Sequence, residues 1–241
     1  MCGRFTLRAP ASILATLFDL TETEVAGDPP LAPRYNIAPT QPVAIVRMNP
    51  HTHRREWAHA HWGLIPSWSK DPTIGARMIN ARSETVAEKP SFRAAFKRRR
   101  CLAPADGFYE WKKVGSKKQP YHITVQNGAS AIDETGAAPF AIAGLWEYWE
   151  GADGSALESC TLLTTEANAL MSELHNRMPV IIEPEDYEFW LGSGNEDDKF
   201  HISELQHLLR PFAPEKMAFR PVSTYVNNAR NEGAACLQGA V

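Results

Sequence analysis

Long apolar runs are missing from this chain of 241 residues. No stretch approaches the roughly 20 residues a membrane helix needs. The opening, MCGRFTLRAP, lacks an apolar core and does not read as a secretory signal. Cysteine is sparse: Cys2, Cys101, Cys160 and Cys236 are too few in so long a chain for a disulfide scaffold. A reducing cytoplasm is the expected compartment. There is no G-x-G-x-x-G or G-x-x-x-x-G-K-[ST], so nucleotide phosphate loops have no support. C-x-x-C, H-E-x-x-H and G-x-S-x-G are also absent. His51/His53 and His59/His61 have the period-2 spacing of one strand face, but no cysteine or carboxylate cluster completes a zinc site. The expectation is no metal and no cofactor.

Punctuation, by contrast, is plentiful. With 18 prolines and 15 glycines the elements must be short, and 44% hydrophobic content is ample for a sizeable core. Alternation predicts a short strand at 3–8, and strands are also expected at 42–48, 55–63, 99–103, 106–113, 119–126, 139–149, 157–165 and 217–222. Helices are expected at 10–20, 83–88, 91–98, 167–173, 184–191 and 201–209, with a loop over 26–42. Val114-Gly115-Ser116 reads as a hairpin turn. The expected fold class is α+β: a single domain over 1–241 with a largely antiparallel, barrel-like sheet core and short peripheral helices. Residues 234–241 read as a flexible tail, and no coiled-coil seam suggests more than a monomer.

Charge is unevenly spread. The net charge is −3, yet residues 89–118 hold ten basic residues against Asp106 and Glu110, a surplus of eight that leaves the rest at −11. Such a zone is either a local anion site or a solvated face; by charge, Lys97–Arg100 is a phosphate-contact guess.

Cys2 stands out by position. Once Met1 is removed, it offers an α-amine and a β-thiol on adjacent carbons. A terminal amine titrates at roughly 7.7–8.0 and a thiol at about 8.5, so both are usable nucleophiles near neutrality. Such a 1,2-aminothiol condenses with an aldehyde to an imine, and the thiol then closes a five-membered thiazolidine, helped by proximity. The plain alternative is a small buried hydrophobe. His175, in the polar turn Glu-Leu-His-Asn-Arg-Met-Pro, is a candidate general acid or base or a surface histidine. Glu110, between aromatics in Gly-Phe-Tyr-Glu-Trp, is a candidate proton acceptor or an outward partner of Lys112. Asn80, before an expected helix start, is a cap or a donor aimed at a ligand.

The strings MCGRF, RYNIAPTQ, WGLIPSW, INARSET, RCLAPADGFYEW, HNRMP and PVSTYVNNARNEG, in this order, resemble the SRAP (SOS response-associated peptidase) family from Met1 to about Gly233. The resemblance implies DNA repair: sensing of abasic sites in single-stranded DNA and at single-strand/double-strand junctions, and capture of the open sugar as a thiazolidine cross-link. It also implies self-release of Met1 and a minor lyase reaction. It assigns Cys2 as nucleophile and Asn80, Glu110 and His175 as supporting residues. Arg4, Trp68, Arg82, Thr164 and Arg177 fall in strings resembling the family's DNA-contacting surface, with Pro39 and Phe92 as weaker candidates. Trp68 as core and Arg82 paired with Glu84 are the plainer readings. Two other functions compete: a cysteine peptidase acting in trans through Cys2, His175 and Glu110, and a noncatalytic nucleic-acid binding module.

Overall fold

The chain passes from one sheet to the other at a buried carboxylate, Asp106. The computed structural model describes residues 2–27, 31–126, 132–133, 136–192 and 202–240. In chain order the strands are β1 (Phe5–Leu7), β2 (Arg34–Ile37), β3 (Pro42–Met48), β4 (Arg55–Trp62), β5 (Asn80–Arg82), β6 (Arg100–Ala105), β7 (Gly107–Val114), β8 (Lys117–Gln126), β9 (Ala137–Ala138), β10 (Phe140–Glu150), β11 (Ala156–Glu166), β12 (Arg177–Pro179), β13 (Ile181–Ile182) and β14 (Met217–Pro221). The helices are α1 (Ala11–Phe18), α2 (Glu22–Ala26), α3 (Arg93–Arg98), α4 (Tyr187–Leu191) and α5 (Ile202–His207).

One sheet runs β14-β8-β7-β1-β2, with β9 on β8. The other runs β12-β11-β4-β3-β6-β10-β13, with β5 on β11. Because β10 also pairs with β11, the strands β11, β4, β3, β6 and β10 close on themselves as a barrel. Pairing is antiparallel except where β11 meets β4 and β5. The expected α+β class with a barrel-like sheet is therefore what forms. Closure explains β10: Phe140 to Trp146 is buried throughout, as befits a wall covered on both sides. The core joins both sheets, with Phe5 of β1 packed edge-on to Trp62 of β4 at 5.2 Å between ring centroids.

Asp106, between β6 and β7, is where the chain leaves the barrel for the other sheet. Its fully buried carboxylate accepts from Thr6 Oγ1 (2.6 Å), the Ala9 amide (2.9 Å), Arg8 Nε (3.0 Å) and the Arg8 amide. It thereby pins β1 to the corner. Next in sequence, Gly107 is obligatory on steric grounds. A Cβ there would lie 2.1 Å from His122 Nε2.

Several local expectations change. β2 falls inside the expected loop of 26–42. The 83–88 segment forms turns rather than a helix, and 167–173 contributes only a short 3-10 turn at Met171–Glu173. His51 and His53 lie in the β3–β4 turn, not on a strand face, with His53 at φ 53°. The expected tail is packed: Ala234–Leu237 form a 3-10 turn, Cys236 is buried, and Gly239 bridges Val222.

Candidate active site

Cys2 precedes β1, and β1 runs antiparallel to β7 with Phe5 opposite Phe108. The ladder continues as the Tyr109 amide donates to the Arg4 carbonyl at 3.0 Å. That register brings the Glu110 strand alongside Cys2. Both are buried: Cys2 is 0% exposed and Glu110 4%. The outward alternative for Glu110 is thus excluded. Burial first, and then the Glu110 charge, push the Cys2 thiol up to about 12. In this setting sulfur rests as neutral thiol, not thiolate.

Asn80 begins β5, paired in parallel with β11 at Leu162, and is not the helix cap its context suggested. Its Nδ2 donates to the Cys2 carbonyl at 2.8 Å. Its buried Oδ1 has no hydrogen-bond partner among the described residues. His175 follows the Met171–Glu173 turn, and its amide donates to the Met171 carbonyl at 2.9 Å. Its Nδ1 accepts the Arg177 amide at 3.0 Å, which leaves the proton of the neutral ring on Nε2. Thr164 of β11 pairs with both Arg82 of β5 and Pro179 of β12. The segments carrying Asn80 and His175 therefore converge on one stretch of β11.

A sequence model for the family described as SOS response associated peptidase (SRAP) matches residues 1–229. The chain belongs to the SRAP family. It is 38% identical over 239 residues to the Abasic site processing protein YoqW of Bacillus subtilis, covering 99% of each chain. It is 33% identical over 229 residues to the Abasic site processing protein HMCES of Xenopus tropicalis, covering 87% of this chain and 67% of that one. A crystal structure of a protein from Bacteroides thetaiotaomicron superposes with a TM-score of 0.82 at 27% identity over the whole of both chains.

The residues expected at a DNA surface divide in this SRAP domain. Trp68 is 61% exposed, so it is not core, and Arg82 is exposed. Pro39 is half-buried and Phe92 is core, just ahead of α3. Thr164 is fully buried; its hydroxyl and carbonyl receive Arg177 Nη2 at 3.3 and 2.6 Å. Glu84 pairs with Arg177, not Arg82, and this holds its carboxyl below the usual range. Arg4 is turned inward. It donates to Asn36 Oδ1 at 2.7 Å and to the Val226 carbonyl at 2.9 Å, and stacks 5.9 Å from the Trp111 ring centre. Arg100 is buried and caps α3 through the Phe96 and Lys97 carbonyls, while Arg99 pairs with Glu147. Both are unsuited to the phosphate contact guessed from charge.

The sequence reading missed the anchor beside the site. Asp106 holds Thr6, whose Oγ1 lies 3.3 Å from His122 Nε2. Burial drives His122 down to about 3, so it is neutral. The signal was Asp106 itself, a carboxylate flanked by apolar residues. A cavity of about 880 Å³ lies elsewhere, lined by Asp19, Glu24, Arg54, Arg55 and Glu185, and contains none of the expected site residues. Among the described residues, no group of three or more His, Cys, Asp or Glu gathers as a metal site.

Proposed function

We propose that this chain processes abasic sites in DNA by trapping the ring-opened sugar on Cys2. The observation that carries the reading is the seat of Cys2: a buried residue near the start of the chain, its carbonyl held by Asn80 and its sulfur within the field of Glu110. With Met1 attached, the Cys2 nitrogen is an amide and cannot form an imine. Loss of Met1, by self-processing or by an aminopeptidase, creates the amine.

The abasic sugar is mostly a closed hemiacetal. His175, an imidazole that can both give and accept a proton, moves the proton that opens it. The Cys2 amine adds to the aldehyde carbon, and Glu110 relays the amine protons to the carbonyl oxygen, which leaves as water. Sulfur then adds to the imine carbon while its proton passes to the nitrogen. The net change is one C–N and one C–S bond formed and one water lost. The proton lost by sulfur is the one the ring nitrogen gains, so the step is neutral overall. If the imine persists, β-elimination competes as a minor lyase reaction.

Trp68 supplies a stacking surface, and Arg82 with Arg177 contacts phosphate of single strands or junctions. For Arg177 this means exchanging Glu84 for phosphate. A peptidase acting in trans needs a thiolate nucleophile, which the raised pKa of Cys2 disfavours. The protein is taken to act as a monomer, without metal or cofactor. The test is heat-stable cross-linking to single-stranded DNA with one abasic site, compared with Cys2→Ala. Equal adduct from both proteins, without added reductant, would sink the proposal.

A further inference from the structure

The basic surplus of residues 89–118 divides once folded. Arg99 and Arg100 are engaged internally. Lys112, Lys113, Lys117 and Lys118 remain on the β7–β8 hairpin, outward of Glu110. Lys113 lies directly opposite Lys118, an arrangement that repels. Residues 111–126 contain no acid that could relieve it. None of the four lysines has an ion pair or side-chain hydrogen bond with a described residue. Lys113, Lys117 and Lys118 are exposed, and Val114 at the tip is 56% exposed. The turn thus gathers like charge without any fold-stabilising partner.

The ribbon starts at the active site, with Glu110 opposite Tyr121 and Lys112 opposite Gln119. Alternation puts Lys112 on the Glu110 side of the ribbon, and Lys117, opposite Val114, on that side too. They stand roughly 7 and 14 Å beyond Glu110 at about 3.4 Å per residue. Phosphates of one strand in B-DNA advance about 3.4 Å per step along the axis, so the span corresponds to roughly two to four steps.

We infer that the β7–β8 ribbon is a second DNA-holding arm, gripping backbone phosphates on the flank of the lesion through Lys112 and Lys117 on the Glu110 side, with Lys113 and Lys118 on the other face adding to the positive field. It rests on the reading of Cys2 as the abasic-site trap, and adds a contact surface to it. The arm reads charge, not sequence, and contributes to affinity rather than to bond formation.

The test uses the full chain with all four lysines changed to Gln, which leaves the exposed hairpin without buried consequences. Binding is followed by fluorescence polarisation on a single strand carrying a tetrahydrofuran abasic analogue, which has no aldehyde, across a salt series. Cross-linking to a true abasic strand is measured at saturating DNA. The expected result is a salt slope shallower by roughly 1.5 to 3, at about 0.7 per contact, with weaker binding at moderate salt and an unchanged maximal cross-linking rate. An unchanged slope and affinity in a variant that still cross-links overturns the arm and leaves the trap standing. Wild-type binding without any cross-link overturns the trap, while a shallower slope in the variant still supports the arm. If the wild type does not bind the strand, both fail.

Discussion

Changing Asn80 to Ala separates positioning from stability. The bond from Asn80 Nδ2 to the Cys2 carbonyl, at 2.8 Å, contributes about 0.5–1.5 kcal/mol net. Its Oδ1 is buried without a partner, and such an acceptor costs about 1–3 kcal/mol. The variant relieves that acceptor but leaves the Cys2 carbonyl without its donor, a cost of about 1–3 kcal/mol, so the two offset and folding stability should change by no more than about 2 kcal/mol. Cross-linking should respond differently. The variant loses the tether on Cys2 and, on the proposed reading, an unpartnered acceptor that the amine or a sugar hydroxyl would engage. Two interactions of about 1–1.5 kcal/mol each correspond to a rate loss of roughly 30- to 100-fold, at about 1.4 kcal/mol per decade. The assay is single-turnover cross-linking with protein in excess, on denaturing gels, beside a chemical denaturation curve. A variant that folds normally and cross-links within about threefold of wild type would refute the role given to Asn80.

Three further outcomes follow from the packing and charge. Gly107→Ala should destabilise by about 1–3 kcal/mol or more, because its Cβ meets His122 and the Ile123 carbonyl at 3.1 Å; a melting curve matching wild type would contradict this. His122 is held neutral, so its contribution to stability is present above its ordinary value of 6.5 and lost as pH falls toward about 3. Below pH 6.5 stability should drop by about 1.4 kcal/mol per pH unit from this group, and His122→Gln should remove that part of the slope in denaturation curves between mildly acidic and neutral pH. Glu84→Gln should free Arg177 and tighten DNA binding a few-fold with a salt slope steeper by up to about 0.7, while changing stability by less than about 1 kcal/mol, as for exposed pairs; weaker binding would show that Glu84 itself serves the DNA.

What was legible in the sequence was local. The short apolar run in Pro42–Met48 and the glycine turn at Gly115 predict β3 and the β7–β8 hairpin because β-branched runs and turn chemistry are short-range signals. Residues 34–37 were not legible as a strand, since their proline-rich surroundings read as loop; pairing with β1 decides them. Barrel closure through β11 is a long-range event with no local mark. Cys2, Asn80 and Glu110 were found by chemistry and resemblance, and folding brings them together. Arg100 shows the limit of reading charge alone, since its guanidinium is consumed by a helix end, and Arg4, expected at the DNA surface from the resemblance, spends its guanidinium on Asn36 and a carbonyl distant in sequence. Asp106 was counted only as one of two acids in a basic zone, whereas its four hydrogen bonds make it the anchor of the strand that follows Cys2.

The most direct measurement is intact mass spectrometry of the purified protein before and after incubation with a single strand carrying one abasic site. The account requires a protein lacking Met1 that gains one oligonucleotide minus one water, stably to heat, with the modification on the Cys2 peptide. A processed protein that gains nothing, or an adduct mapped to another residue, would contradict it.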